Sequence, residues 1–354
     1  MRSFQVTTFG APLAESIAPT PVPTGSQVLM KVEAAGVCHS DLHIWSGGYE
    51  LGHGRKALSL KDRGVSLPLT MGHEIAGQVV AVGPDVTGVR VGDQRLVYPW
   101  IGCGQCGACR DGDENLCLKP RSLGVYCDGG YSDHVLVPHS RYLVDMRGLD
   151  PAIAAPYACS GVTTYSAIKK IADRLDTPVV IIGAGGLGLM AIAILKAMDA
   201  KGAIVVDIDA SKRKAAKLAG ALAVVNGAAP DALDAVMAAA AQPILAVIDL
   251  VGTAGTAQLG FDCLSKGGKL VMVGLFGGGA PWPLPIIPMK ALTIQGSYVG
   301  NLRETQELID LVVEKQIPPI PIKTMDLCDA NQALENLRHG RLIGRAILVP
   351  QSSK

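Results

Sequence analysis

A glycine-rich turn between a buried strand and a helix is the feature that most restricts the fold of this chain. The apolar run Pro178–Ile182 suits a strand that is buried on both faces, and the apolar stretch Leu189–Met198 is predicted to be a helix. Glycines between them permit a tight turn and let a pyrophosphate approach the helix N-terminus. The segment therefore predicts a parallel sheet that binds a dinucleotide, through Gly183, Gly185, Gly186, Leu187 and Gly188.

Further strands in the second half support such a sheet. The strand Ala203–Asp207 ends in an acid, which suits the ribose 2′-hydroxyl of NAD and repels the additional phosphate of NADP. Four more predicted strands alternate with helical stretches: Ala223–Val225, Ile244–Leu250, Lys269–Gly274 and Leu292–Gly296. Six strands with helical crossovers predict a doubly wound parallel sheet, with Asp207 among the cofactor-binding residues.

The first half has a different pattern, and 354 residues are too many for one ordinary core. Predicted strands at Ile75–Val82 and Val89–Val97 are separated by a turn, and turn signals recur about every eight to twelve residues. The chain is thus expected to form a small β-barrel or sandwich followed by an α/β domain.

Four cysteines in the first half predict a closed metal site. Thiolates two residues apart can chelate one ion, and zinc in a structural site takes four such ligands in a tetrahedron. An iron–sulfur cluster uses similar spacing and is the alternative. The predicted ligands of this structural zinc are Cys103, Cys106, Cys109 and Cys117.

A second metal site is predicted from residues that are far apart in the sequence. A reactive zinc takes three protein ligands and keeps one position open. Cys38 offers a thiolate, His73 an imidazole, and Cys159 is the candidate for the third ligand. Glu74 is either a carboxylate behind the ligands or an occasional ligand, and Asp41 is a candidate to orient His73.

Composition narrows the class of protein. The chain is 49% hydrophobic and 18% charged, as in ordinary globular proteins. A net charge of +1 without a basic run argues against nucleic acid as a partner. No apolar stretch of about 20 residues and no signal pattern occurs, so no membrane association is expected. Nine cysteines, several of them in Cys-x2-Cys spacing, favour thiolate ligands in a reducing compartment, and a cytoplasmic enzyme is expected.

These motifs together resemble the zinc-dependent medium-chain alcohol dehydrogenases, most closely the yeast-type and bacterial tetrameric members. The resemblance extends over essentially the whole chain and is carried by the four-cysteine lobe and by three further motifs: Gly-Val-Cys38-His-Ser-Asp, Gly72-His73-Glu74-x2-Gly77-x-Val79 and Cys159-Ser-Gly-x-Thr-x-Tyr. It implies a GroES-like β-barrel catalytic domain with the structural zinc lobe, formed by residues 1–158 and 297–354, and a Rossmann NAD-binding domain at residues 159–296.

The resemblance also implies an activity and an assembly. The activity is a zinc-dependent interconversion of primary or secondary alcohols and aldehydes or ketones, in which a zinc-bound alkoxide passes a hydride to NAD. Each chain is expected to hold one catalytic and one structural zinc. Homo-oligomers, either dimers or tetramers, are expected to form through the nucleotide domain, at the stretch Pro281–Pro288.

Five residues receive roles from the same resemblance. Lys212 matches a lysine on the adenosine ribose, with a plain helix surface as the alternative. His39 and Arg345 match residues that contact the phosphates. Ser40 is placed to take the proton of the alcohol and pass it through the nicotinamide ribose to His43, which releases it to solvent. A turn-forming serine and a surface histidine are the alternatives.

Substrate identity is the least determined property. Trp45, Trp100 and Tyr298 match or adjoin family positions that line the substrate pocket, and each also suits a core position. The polar segment Glu50–Leu67 is longer than in yeast-type members, and it is either a solvated surface loop or a lip over the substrate entrance. The non-enzymatic alternative is a zinc-stabilised nucleotide-binding sensor or structural protein without turnover. The presence of the zinc ligands Cys38, His73 and Cys159 together with the proton-transfer residues Ser40 and His43 argues against this alternative, because a sensor does not need to release a proton.

Overall fold

The computed structural model describes residues 1–350 of the chain. The strands of the first half are β1 (Arg2–Val6), β2 (Ala14–Ile17), β3 (Val28–Val37), β4 (Gly48–Tyr49), β5 (Leu58–Ser59), β6 (Leu69–Thr70), β7 (Glu74–Val82), β8 (Gln94–Val97), β9 (His134–Val137) and β10 (Leu143–Asp145). Those of the second half are β11 (Val179–Ile182), β12 (Ala203–Asp207), β13 (Ala223–Asn226), β14 (Ala246–Asp249), β15 (Lys269–Met272), β16 (Thr293–Gly296), β17 (Ile322–Asp326) and β18 (Arg345–Val349).

Most helices lie in the second half. The α-helices are α1 (His39–Ser46), α2 (Gly107–Arg110), α3 (Pro151–Ala154), α4 (Ser160–Lys169), α5 (Gly186–Ala197), α6 (Ala210–Leu218), α7 (Ala232–Ala240), α8 (Ala254–Cys263), α9 (Ile286–Met289), α10 (Leu302–Glu314) and α11 (Ala330–Arg338). Short 3-10 turns occupy Glu114–Leu116, Ser140–Tyr142, Ala155–Ala158, Ala172–Arg174 and Leu327–Asp329. Among residues 1–350, no helix is both long and apolar enough to cross a membrane.

The first half is built around a mostly antiparallel sheet to which the end of the chain returns. Its strand order is β10-β8-β7-β3-β18-β17, with β9 paired to β3. Strand β18 runs antiparallel to β3, with Ala346 opposite Val37. Long strand β3 is buried along most of its length and therefore forms the centre of this core. Cys38, directly after β3, is thereby held at the edge of the first half that faces the second half.

The second half contains the predicted parallel sheet, with strand order β13-β12-β11-β14-β15-β16. All four residues of β11 are buried, as expected for a strand covered by helices on both faces. The strand order reverses between β11 and β14, and ligands of such sheets bind outside the carboxyl ends of the strands at this point. The prediction of a small β domain followed by a doubly wound α/β domain is confirmed.

The backbone conformation of the glycine-rich turn explains why glycine occupies two of its positions. Gly183 has a φ of 105°, which side chains other than glycine rarely adopt. A Cβ atom at Gly188 would lie 2.0 Å from the carbonyl oxygen of Gly183, so only glycine fits there. Helix α5 begins at Gly186, three residues before the predicted start, so its first turn lies within the glycine-rich segment.

Candidate active site and metal centres

Three predicted ligands meet where the two halves of the chain face each other. Cys38 is the N-cap of α1, His73 precedes β7, and Cys159 precedes α4. The Sγ atoms of Cys38 and Cys159 are 3.8 Å apart, and one ligand atom from each of the three residues lies within 4.8 Å of the others. All three side chains are buried. This group is hereafter called the three-ligand group.

The donor atoms of the three-ligand group fit a zinc ion. Within the described residues, the buried Nε2 of His73 has no hydrogen-bond partner. Hydrogen bonding to Cys159 lowers the pKa of the Cys38 thiol, whereas hydrogen bonding to Cys38 raises the pKa of Cys159. Zinc binds cysteine as the thiolate, so an ion at this group would displace the thiol protons. Two thiolates and an imidazole that face one open side form the donor set of a reactive zinc site.

Asp41 orients His73 from behind. Its Oδ1 lies 3.2 Å from Nδ1 of His73, and its Oδ2 accepts hydrogen bonds from the backbone N–H of Cys38 at 2.8 Å and from the hydroxyl of Tyr131 at 2.9 Å. Asp41, His73 and Tyr131 are fully buried. A carboxylate at Nδ1 fixes the orientation of the ring and directs Nε2 toward the ion.

Removal of the Tyr131 hydroxyl is expected to weaken zinc binding at the three-ligand group. Tyr131→Phe keeps the ring against Gly72 but deprives Asp41 of a donor, and changes to such outer partners reduce metal affinity about 10- to 100-fold. Zinc release to a chromogenic chelator should therefore become faster. Tyr165→Phe, which removes a hydroxyl bonded to Glu307 far from the group, is the control. Equal release rates in both variants would show that Tyr131 does not support the site.

A buried ion pair lies on the other side of the ligands. Oε1 of Glu74 accepts the backbone N–H of Ser160 at 3.1 Å and lies 3.3 Å from Nη2 of Arg345. Burial raises the pKa of Glu74 to about 7, against the effect of the Arg345 charge. Arg345 also donates to the carbonyl oxygen of Val37 at 3.1 Å. Glu74 is not a member of the three-ligand group, so this geometry corresponds to a carboxylate behind the ligands.

The four cysteines of the first half form a second candidate metal centre. Their ligand atoms lie within 4.8 Å of one another, with Sγ–Sγ distances of 3.4 Å from Cys106 to Cys109 and 3.7 Å from Cys106 to Cys117. The backbone N–H groups of Cys103 and Lys119 each donate to Sγ of Cys117 at 3.3 Å. None of these cysteines is in a disulfide. Four sulfurs with backbone donors fit a closed structural zinc site.

A cleft between the two halves opens beside the three-ligand group. It lies at the carboxyl ends of the parallel strands, where the strand order reverses. Its walls include His39, Ser40 and His43 from α1, Leu187 from the glycine-rich turn, and Trp100, Thr163, Phe276, Ser297 and Tyr298 from elsewhere in the chain. The cleft therefore joins the metal centre to the nucleotide-binding edge of the sheet.

One face of α1 lines this cleft. The hydroxyl of Ser40 lies 3.9 Å from Sγ of Cys38. The ring of His43 lies 4.6 Å from that of Tyr49, and burial lowers the pKa of His43. His39 lies on the same face, and burial together with the charge of His43 lowers its pKa to about 4. Ser40 and His43 are three residues apart and thus neighbours on the helix.

The expectation that Trp45 lines the pocket is wrong. Trp45 lies on the opposite face of α1, where its indole N–H donates to the carbonyl oxygen of Ala11 at 2.6 Å and the guanidinium of Arg338 covers its ring. Residues three apart share a helix face, so Trp45 points the same way as Leu42 and away from His43. Trp100 and Tyr298, by contrast, line the cleft, and their rings are 6.2 Å apart.

The residues predicted for the cofactor surround the glycine-rich turn. Oδ2 of Asp207 accepts the N–H of Ala184 at 2.7 Å, and Oδ1 accepts the N–H of Asp209 at 2.8 Å. A carboxylate has about four acceptor positions, so two remain for ribose hydroxyls. Lys212 lies in the first turn of α6 beyond Asp207. The guanidinium of Arg345 is 3.4 Å from the position a Cβ atom of Gly186 would occupy.

Sequence reasoning missed two groups of residues in the site. Phe276, whose ring stacks 4.2 Å from that of His39, lies four residues after the end of β15, and Ser297 directly follows β16. Their position at the carboxyl ends of parallel strands was a signal that could have identified them. Tyr131 had no such signal, because a long-range contact brings it to Asp41 from 90 residues away.

Comparisons with known proteins agree with this geometry. The family model described as "Alcohol dehydrogenase GroES-like domain" matches residues 24–147, and the one described as "Zinc-binding dehydrogenase" matches residues 186–314. A relative from Sulfurisphaera tokodaii, an "NAD-dependent alcohol dehydrogenase", is 43% identical over 99% of this chain and 100% of its own length. A relative of the same name from Saccharolobus solfataricus is 42% identical over the same shares.

Solved structures extend the similarity to the fold. The alcohol dehydrogenase of Aeropyrum pernix superposes with a TM-score of 0.89 at 29% identity, covering 99% of this chain and 100% of the other. The acetophenone reductase of Geotrichum candidum, solved with NAD, gives a TM-score of 0.85 at 29% identity and covers 98% and 96% of the two chains. The predicted combination of a GroES-like domain with a Rossmann domain is confirmed.

Proposed function

Because the chain belongs to the zinc-dependent medium-chain alcohol dehydrogenase family, we propose that its cleft interconverts alcohols with aldehydes or ketones and exchanges a hydride with NAD(H). One observation carries this proposal. The three-ligand group borders the same cleft as the glycine-rich turn, so a metal-bound substrate and a dinucleotide can meet there. Each chain uses two zinc ions, one catalytic and one structural, together with NAD.

The catalytic roles follow from the positions of the side chains. When bound, zinc supplies a Lewis acid that lowers the pKa of an alcohol hydroxyl, and NAD supplies the hydride acceptor. Cys38, His73 and Cys159 hold the ion with one side facing the cleft. Ser40 takes the hydroxyl proton at Oγ, and His43, its neighbour on the same face of α1, releases the proton toward solvent.

Other residues support the ligand loop or narrow the cleft and do not take part in the proton transfer. Glu74 is held by Arg345 and the N–H of Ser160, and it supports the loop that carries Cys159. Trp100 and Tyr298 narrow the cleft on the substrate side. Trp100 also donates its indole N–H to the carbonyl oxygen of Ala158 at 3.0 Å, directly before the ligand Cys159.

The cofactor is bound by the glycine-rich turn and its neighbours. The backbone from Gly183 to Gly188 accommodates the pyrophosphate at the start of α5, where the helix dipole favours an anion. Arg345 adds positive charge near these phosphates, and the neutral His39 ring adds a hydrogen-bond donor. Asp207 and Lys212 bind the adenosine ribose. The full proposed set at the turn is Gly183, Gly185, Gly186, Leu187 and Gly188.

Asp207→Asn is expected to relax the preference for NAD over NADP. The change keeps an acceptor near the N–H of Ala184 but removes the charge that repels the additional phosphate. The ratio of kcat/KM for NADP to that for NAD should rise about 10- to 100-fold, which corresponds to about 1.4 to 2.8 kcal/mol. Asp209→Asn is the control, since Asp209 caps α6 through Ser211. An unchanged ratio in Asp207→Asn would remove this residue from ribose binding.

The proposal is tested by measuring zinc content and NADH formation with a panel of alcohols. Two zinc ions per chain, together with turnover that a chelator stops and added zinc restores, would support it. One zinc per chain without turnover would instead support a nucleotide-binding sensor. That alternative is not favoured, because the named relatives are dehydrogenases over their whole length.

The proposal also includes the domain boundaries of the chain, its oligomeric state and its cellular compartment. The catalytic domain comprises residues 1–158 and 297–354, of which residues 351–354 lie outside the described part, and the NAD domain comprises residues 159–296. Strand β16 is the edge of the parallel sheet, and the stretch Pro281–Pro288 beside it exposes Leu284. These features support association into dimers or tetramers through the NAD domain. Nine free cysteines support a reducing location such as the cytoplasm.

A further inference from the structure

The cleft continues from the three-ligand group into a second chamber nearer the surface. This outer chamber is lined by Tyr49, Leu58, Leu60, Arg63, Tyr126 and Tyr298, among others. Tyr49, Val125, Leu275 and Tyr298 line both the outer chamber and the cleft beside the metal centre. One elongated molecule can therefore occupy both spaces at once.

Among residues 1–350, Arg63 is the one cationic side chain in the wall of the outer chamber. Among the described residues it forms no ion pair, because the adjacent Asp62 pairs with Lys56 at 3.7 Å. Arg63 lines the outer chamber together with Tyr298, whose side chain also borders the cleft beside the metal centre. The exposed guanidinium thus lies in the same wall as the tyrosine that both chambers share, and no carboxylate among the described residues forms an ion pair with it.

The backbone at Arg63 is held in place. Its N–H donates to the carbonyl oxygen of Leu60 at 3.1 Å, and the N–H of Val65 donates to the same oxygen at 3.0 Å. Leu60 and Val65 are each 3% exposed and pack into the core of the first half. The backbone position of Arg63 is therefore fixed, while its side chain is exposed and available to a ligand.

The segment that carries Arg63 also closes the chamber. The N–H of Gly278, in the second half, donates to the carbonyl oxygen of Glu50 at 3.3 Å, and a Cβ atom at Gly52 would lie 2.7 Å from Cα of Gly278. The segment Glu50–Leu67 thus contacts both sides of the cleft, as a lip over its entrance. Within the described part of the chain, the exposed Glu50 is the one acid in this wall.

We propose that the outer chamber binds the distal carboxylate of an ω-hydroxy or ω-oxo carboxylic acid and that Arg63 is its cationic partner. The hydroxyl or carbonyl end of the same molecule lies at the three-ligand group, so the inference rests on the proposed function. Arginine pairs with carboxylates through two parallel hydrogen bonds, and the apolar side chains of Leu58 and Leu60 suit a methylene or aromatic spacer. Arg63 is thereby a specificity-determining residue for substrates of this class.

The test compares kcat/KM for three alcohol series of matched chain length: n-alcohols, ω-hydroxycarboxylates and ω-amino alcohols. At the length that spans both chambers, the wild type should prefer the carboxylate to the neutral alcohol by about 10-fold or more, and the ammonium compound should be the poorest. Arg63→Met should lower kcat/KM for the carboxylate about 10- to 100-fold, mainly through KM. Lys61→Met removes an exposed cation of the same segment outside the chamber and should leave the ratio unchanged.

Four results would overturn the inference. Equal kcat/KM for neutral alcohols and carboxylates in the wild type would overturn it and leave the proposed function intact. A preference for ω-amino alcohols, or an equal effect of Arg63→Met and Lys61→Met on the ratio, would do the same, because the charge at Arg63 would then not select the substrate. No turnover with any series, in protein with two zinc ions per chain, would overturn the proposed function as well.

Discussion

Replacement of Cys38 with serine is expected to abolish alcohol oxidation while the chain stays folded. The variant loses one of the two thiolates of the three-ligand group, and a serine hydroxyl is a much poorer zinc ligand. Cys38 is the N-cap of α1, a position that serine favours, so the helix should persist. Loss of several kcal/mol of electrostatic stabilisation should reduce kcat by about 10³-fold or more. NADH formation, zinc content and circular dichroism measure these effects.

The matched control is Cys263→Ala. Cys263 is buried like Cys38, but it lies in α8 and belongs to neither cysteine group. This variant should retain two zinc ions and most of the activity. Cys38→Ser should retain one zinc ion, at the four-cysteine site. Appreciable turnover by Cys38→Ser with one zinc per chain would show that the reaction does not need the ion at the three-ligand group.

Cys103→Ser is expected to destabilise the chain rather than to change its chemistry. Helix α2, which lies inside the four-cysteine lobe, has only four residues and none of them is buried, so the ion and not a hydrophobic core holds the lobe. Glu114 then connects the lobe to the rest of the domain, because it accepts the N–H of Gly102 at 2.9 Å and the hydroxyl of Tyr142 at 2.8 Å. The melting temperature should fall by on the order of 10 °C, as expected for the loss of a few kcal/mol.

Differential scanning calorimetry with parallel zinc analysis measures this prediction. The rate at low temperature, before the lobe unfolds, should stay within several-fold of that of the wild type. Cys127→Ser is the control, since Cys127 is partly buried near this lobe but is not one of its four ligands. A Cys103→Ser variant that keeps both its zinc content and its melting temperature would show that Cys103 does not hold a stabilising ion at this site.

The parts of the fold that sequence reasoning could predict are those with local signals. The turn from Gly183 to Gly188 is recognisable because its first glycine needs a φ of 105° and its last would clash, with any side chain, with the carbonyl oxygen of Gly183. The four clustered cysteines are recognisable because chelation at Cys-x2-Cys spacing is a local property of the chain. The predicted parallel strands were found for the same reason, as continuous apolar runs, with ends that differ by one or two residues.

The parts that could not be predicted depend on helical phase or on long-range contacts. Trp45 differs from His43 by only two positions, yet two positions correspond to about 200° around a helix, which places Trp45 on the opposite face. Tyr131 reaches Asp41 only through the packing of two distant segments. Arg63 reaches the outer chamber because the segment Glu50–Leu67 folds across the cleft, and its polar composition alone did not distinguish a lip from a surface loop.

The central claim is that a zinc ion bound by Cys38, His73 and Cys159 faces the NAD-binding cleft. It is tested most directly by anomalous diffraction on both sides of the zinc absorption edge, with crystals grown in the presence of NAD. Two zinc peaks per chain are expected, one of them about 2.3 Å from the sulfurs of Cys38 and Cys159 and about 2.0–2.1 Å from Nε2 of His73. A single peak, at the four-cysteine site alone, in protein that still oxidises alcohols would contradict the account.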